Sequence, residues 1–184
     1  CNRKTVVLSN CLASTHPKIA KEWHPTKNDD LNPYKITSGS AKKVWWKCNK
    51  GEDHEWFISP SKRIHTNCPI CANQKVVLSN CLATTHPIIA KEWHPTKNDD
   101  LTPYDIVPGS NIKIWWKCDK GNDHEWHTHP NARTGHRKRG CPFCIGQKVS
   151  YSNSLQIINP DLANEWHPTK NGKLTPSDVT STSG

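Results

Sequence analysis

Along this chain the apolar positions follow a helical period first and a two-residue period afterwards. Ile19, Ala20 and Trp23 fall three and four residues apart, the spacing of one helix face, and His16-Pro17 ahead of them puts a proline at a first helical position. His24-Pro25 then predicts the end of the helix, because the residue before a proline is driven out of the helical region. His86-Pro87 and Asn159-Pro160-Asp161-Leu162-Ala163 open the same pattern further on, the last with an asparagine suited to capping. A second proline start, at Thr102-Pro103-Tyr104-Asp105 and Thr175-Pro176-Ser177-Asp178, is read as a single turn. After Gly39-Ser40 and Gly109-Ser110 the period becomes two. Val44-Trp45-Trp46-Lys47-Cys48 and His54-Glu55-Trp56-Phe57-Ile58 are β-prone runs joined by a turn containing Gly51, and they predict a hairpin. A polar loop then leads to Cys68-Pro69-Ile70-Cys71, a knuckle or the start of a last short helix. The predicted unit is a small α+β module of short helix, β-hairpin and Cys-Pro-x-Cys knuckle.

The pattern recurs because the sequence does. Val76 to Ala83 repeats Val6 to Ala13, and Ala90 to Asn98 repeats Ala20 to Asn28 without a change. A third copy runs from Ala163 to Asn171. We divide the chain into an upstream remnant (1–8), two modules (9–75 and 76–148) and the first part of a third (149–184). In this register Cys1 aligns with Cys71 and is expected to be the orphaned last ligand of an upstream site. The chain ends at Gly184, just before a third Trp-Trp-Lys-Cys is due, and it holds no methionine. Two complete units between two partial ones is therefore the expectation.

Composition sharpens this picture. The repeat is short and the chain is only 33% hydrophobic, so no unit can bury a large core without additional stabilisation. Nine cysteines are present, an odd number, and six of them fall with two histidines into two matching sets. Those sets are Cys48, His54, Cys68 and Cys71, then Cys118, His124, Cys141 and Cys144. Two close pairs set apart along the chain suit one tetrahedral ion with sulfur and nitrogen ligands, which points to zinc rather than disulfides. Each such site supplies folding free energy of about 10–16 kcal/mol. Four protein ligands make it structural rather than catalytic. Glu55 and Glu125, directly after the histidines, read as surface strand residues, because a deaminase places its glutamate in His-x-Glu. His24, His94 and His167 read as helix-end packing or capping groups. His16 and His86 read as caps, and Cys11 and Cys81, matched by Ser154, as small half-buried residues. His127 and His129 are read as a solvated strand face.

At Glu-Trp-His-Pro-Thr-Lys-Asn, Trp-Trp-Lys-Cys with His-Glu-Trp, and Cys-Pro-x-Cys, the chain resembles a family of tandem treble-clef or zinc-ribbon repeats once classed as a domain of unknown function. The resemblance covers nearly the whole chain. It implies zinc at the same eight residues, and an association with nucleic acid, since such modules are found beside nuclease-like domains. The second unit departs from the first in a loop three residues longer before Cys141.

The formal charge of +9 suits an acidic partner. Two Cys3His zinc centres, each of net charge −1, lower it only to about +7. The longer loop concentrates this charge in Arg133, Arg137, Lys138 and Arg139, against Lys62 and Arg63 in the first unit. These six residues are the candidate phosphate contacts for DNA or RNA. Adjacent strand residues point to opposite faces, so one tryptophan of each Trp-Trp pair must face outward, to pack on the neighbouring module or stack on a base. A protein partner on the exposed aromatic faces is the alternative. A ββα-metal nuclease using Asp53-His54 or Asp123-His124 is the least favoured, because it needs the histidine free. There is no apolar run long enough to span a membrane, and thiolate ligands suggest an intracellular setting. Enzymatic activity is not expected within this chain.

Overall fold

The computed structural model describes residues 5–136 and 138–182. Cys1 and Arg137 lie outside the described residues. The chain divides into two compact units, the first ending at Asn80 and the second beginning at Cys81.

In the first unit, α1 (Leu12–Thr15) and α2 (Pro17–Ala20) are single helical turns separated by His16. The helix is shorter than the apolar spacing predicts. It stops at Ala20, and Trp23 instead forms an antiparallel bridge with Trp46. The reason is a better use for the backbone: Lys47 N–H donates to Glu22 O at 2.7 Å and His24 N–H to Trp45 O at 3.1 Å. Strands β1 (Val44–Lys47) and β2 (Glu55–Ile58) pair antiparallel, with Trp46 opposite Trp56 and Trp45 opposite Phe57. Next comes α3 (Pro60–Arg63), where a polar loop was expected; Pro60 at its first turn marks it as it marks α2. The Cys-Pro-x-Cys segment closes as a turn, with Ala72 N–H donating to Cys68 O. A 3-10 turn, Leu78–Asn80, ends the unit.

The second unit repeats this with α4 (Leu82–Thr85), α5 (Pro87–Ala90), β3 (Ile114–Lys117), β4 (Glu125–Thr128) and α6 (Pro130–Thr134). It also carries the third partial copy as a 3-10 turn (Tyr151–Asn153), α7 (Leu155–Ile158) and α8 (Pro160–Asn164). Asn159 caps α8 as expected, accepting from Leu162 N–H at 3.2 Å. His16 and His86 hold the same position without a side-chain cap bond. Cys11, Cys81 and Ser154 are fully buried rather than half-buried.

Each core is small. In the first unit Leu12, Ile36, Val44, Trp46, Trp56 and Ile70 cluster with Cys48 and Cys68. Trp46 is wholly buried, donates its indole N–H to Ile58 O at 2.9 Å, and meets Trp23 edge-on at 5.4 Å. The outward tryptophan finds its partners within its own unit. Trp45 lies 5.2 Å from Phe57 with Lys27 over its face, and Trp115 stacks on His127 at 5.0 Å under Lys97.

The recurring Glu-Trp-His-Pro-Thr-Lys-Asn now has a physical account. Asn28 pairs with the edge of β1 as a strand would: Trp45 N–H donates to Asn28 Oδ1 at 2.8 Å and Asn28 Nδ2 donates to Trp45 O at 2.9 Å. His24 is buried and accepts the backbone N–H groups of Thr26 and Lys27 at Nδ1, so its proton sits on Nε2 and is given to Glu55 at 2.9 Å. Glu55 is thus a clamp, not a free surface residue. It also pairs with Lys27, and Lys27 with His24 holds its carboxyl down at about 2. A depressed carboxyl stabilises the fold above its unfolded value and loses that contribution as pH falls. For Glu55 the loss runs from about 4.5 down to about 2.

Candidate metal centre

The turn between β1 and β2 carries Cys48 and His54, and the knuckle after α3 carries Cys68 and Cys71. Cys48 N–H donates to His54 O at 3.0 Å, which fixes the first pair. Gly51 is required by close approach: a Cβ there would stand 2.5 Å from His54 Cδ2, and at Gly121 2.7 Å from His124 Cδ2. Glycine lets the turn fold flat against the imidazole.

The four ligand atoms in each unit lie within 4.8 Å of one another. Cys48 and Cys71 sulfurs are 3.8 Å apart, and His54 Nδ1 is 3.3 Å from Cys71 Sγ and 3.8 Å from Cys68 Sγ. In the second unit Cys118 and Cys144 are 3.7 Å apart, and His124 Nδ1 is 3.7 Å from Cys141 and 3.6 Å from Cys144. A tetrahedron with zinc–sulfur bonds near 2.3 Å and zinc–nitrogen bonds near 2.0 Å has edges of about 3.5–3.8 Å. The donor chemistry fits as well. Burial and the neighbouring cysteines push the Cys71 and Cys144 thiols up to about 12. Three sulfurs this close need a cation to become thiolates together. The residues expected from spacing are therefore brought together as two zinc sites, with four protein ligands each.

Sequence reasoning missed the groups behind the histidines. With Nδ1 toward the metal, Nε2–H of His54 donates to Ser79 Oγ at 3.2 Å, and the Ser79 hydroxyl donates to Asp53 Oδ1 at 2.7 Å. His124, Ser152 and Asp123 repeat the chain at 3.0 and 2.5 Å. The bond from Ser79 holds the Asp53 carboxyl below its usual range, and the bond from Ser152 holds Asp123 at about 2. Such outer partners fix the imidazole tautomer and orientation. Asn80 and Asn153 anchor the serine segment by donating to Ile70 O and Phe143 O in the knuckle. The signal was available: Ser9, Ser79 and Ser152 hold the same place before asparagine in each copy. Ser79→Ala or Ser152→Ala is expected to weaken zinc at its own site by about 10–100-fold, read by competition against a calibrated chelator, with the other site unchanged. Each ring of His54 and His124 thus has Nδ1 among the sulfurs and Nε2 on a serine hydroxyl.

The basic candidates separate. Lys62, Lys138 and Arg139 are exposed. Arg63 and Arg133, expected at phosphates, are instead buried structural cations. Arg63 pairs with Glu22 and lies over Trp46 and Trp56; Arg133 pairs with Glu92 at 2.7 Å and lies 4.6 Å from the Trp116 ring centre. Neither presents its charge to solvent.

Among the described residues no helix is long and apolar enough to cross a membrane. A search of curated proteins found no match. A family model described as a probable treble clef zinc finger domain matches residues 19–74 and again residues 89–147, and each match spans one complete ligand set. With more than half of its length covered by two tandem matches, the chain belongs to the probable treble clef zinc finger family.

Proposed function

We propose that the chain is a tandem zinc module that binds nucleic acid, chiefly through phosphate contact, and that it is a scaffold rather than an enzyme. Each zinc site has four protein ligands, which leaves no open position for a substrate. The observation that carries the binding reading is the loop between α6 and Cys141. Its Lys138 and Arg139 are exposed, and its base is held by a zinc ligand. Exposed Lys62 is the remaining candidate in the first unit. The overall charge of +9 favours the same partner. Thiolate ligands support a reducing, intracellular compartment.

Anisotropy titrations with labelled DNA and RNA over a salt series test this. Affinity should fall linearly on a log–log plot against salt. Lys138→Gln with Arg139→Gln should weaken binding equally across sequences and lower the slope by about 2. Unchanged affinity removes the loop from the mechanism. Tyr34 and Tyr104, exposed at equivalent positions, carry the second reading of a protein partner. Salt-insensitive binding to protein without nucleic-acid affinity would favour it.

A further inference from the structure

The second unit contains a cleft of about 470 Å³ between α5 and the loop after α6, within the range of small-ligand sites of about 300–1,000 Å³. Its two walls differ in chemistry. One is apolar, formed by Pro87, Ile88 and Ile89, with Ile88 78% exposed. The other carries Arg133, Lys138 and Arg139. Arg133 is 5% exposed, and its Nη1 has no hydrogen-bond partner among the described residues. Nη1 is itself closed to solvent, so Arg133 supports the cleft wall by packing and does not offer it an open donor.

In the first unit too one arginine nitrogen, Arg63 Nε, is buried without a hydrogen-bond partner among the described residues, so the units differ in the walls of the cleft and not in this missing partner. There Arg63 Nη1 donates to Thr66 O at 2.5 Å, so the short loop supplies the acceptor. In the second unit the three extra residues redirect the loop carbonyl. Arg139 O accepts from Arg133 Nε at 3.4 Å, and Nη1 is left over. The corresponding cleft of the first unit is smaller, about 320 Å³, and has Lys18 where the second unit has Ile88.

We propose that this cleft receives the base of an unpaired nucleotide, a reading that rests on nucleic-acid binding by the module. Glu92 already balances the Arg133 charge. The exposed cations lining the cleft are therefore Lys138 and Arg139. The apolar wall offers a surface for the base plane, and Lys138 and Arg139 are exposed beside it for the attached phosphate. Bases read in this way must be out of the duplex stack. The second unit then prefers single strands to duplex.

The test uses the whole chain with zinc bound, a labelled single-stranded oligonucleotide, and the same sequence as duplex. Ile88→Lys installs the residue that the first unit carries, at a position exposed enough to leave the fold intact, which a zinc count of two confirms. It adds a cation and removes the most exposed part of the apolar wall. A base in the cleft predicts about tenfold weaker single-strand binding despite the added charge, with duplex binding not weakened. Equal or tighter single-strand binding by the variant overturns the cleft while leaving phosphate contact standing, as does a wild-type preference for duplex. If the wild type binds neither form, both this inference and the nucleic-acid reading fall.

Discussion

Serine in place of Cys68 is expected to unfold the first unit and leave the second folded. Cys68 is 5% exposed and belongs to both the zinc site and the core cluster, and among the described residues no fifth cysteine or histidine joins its ligand group. Serine does not supply a thiolate. The remaining apolar cluster is a few side chains around Trp46. A structural zinc contributes about 10–16 kcal/mol, and whole domains are stable by only about 5–15 kcal/mol. Loss of the ion therefore exceeds the net stability of a unit this small. Near-ultraviolet circular dichroism should show loss of about half of the ordered tryptophan signal. Cys141→Ser should produce the complementary result. A first unit that keeps its ordered signal without its ion would mean that the core suffices alone.

Alanine in place of Glu92 is expected to cost the second unit about 3–5 kcal/mol, towards the lower end because the carboxylate is 28% exposed. Arg133 cannot follow its charge into solvent without leaving Trp116 and Trp126, whose rings lie 4.6 and 5.2 Å from the guanidinium carbon. The variant leaves a buried cation without a counter-charge. Arg133→Met should cost less, since methionine fills similar space between the two indoles and carries no charge. Urea unfolding of the zinc-loaded chain measures both. A larger loss for Arg133→Met than for Glu92→Ala would show that the guanidinium contributes more by its own contacts than by its pairing.

The same arginines show where sequence reading stops. The metal ligands were legible because their spacing is local: cysteine and histidine across one hairpin turn, and two cysteines across one knuckle. The hairpin was legible from its two-residue period, and the alternation correctly sends one tryptophan of each pair outward. Its destination was not legible, because the pairing of Trp115 with His127 depends on strand register. Arg63 and its partner Glu22 are 41 residues apart. A run of cations in a loop reads as solvated until the fold brings a carboxylate and two indoles to one member of it. The repeat held a partial signal, because glutamate and arginine recur together as Glu22 with Arg63 and Glu92 with Arg133. The serine behind each zinc histidine was hidden differently. It belongs to the opening sequence of the next repeat, yet it completes the site before it.

Each small unit is held together by its own zinc ion, and the metal count of the folded chain by native mass spectrometry tests this most directly. The prediction is two zinc ions per chain with the six ligand cysteines reduced, falling to one in Cys68→Ser. A chain that keeps its tertiary signal after complete metal removal, or one whose ligand cysteines are joined as disulfides, would contradict it.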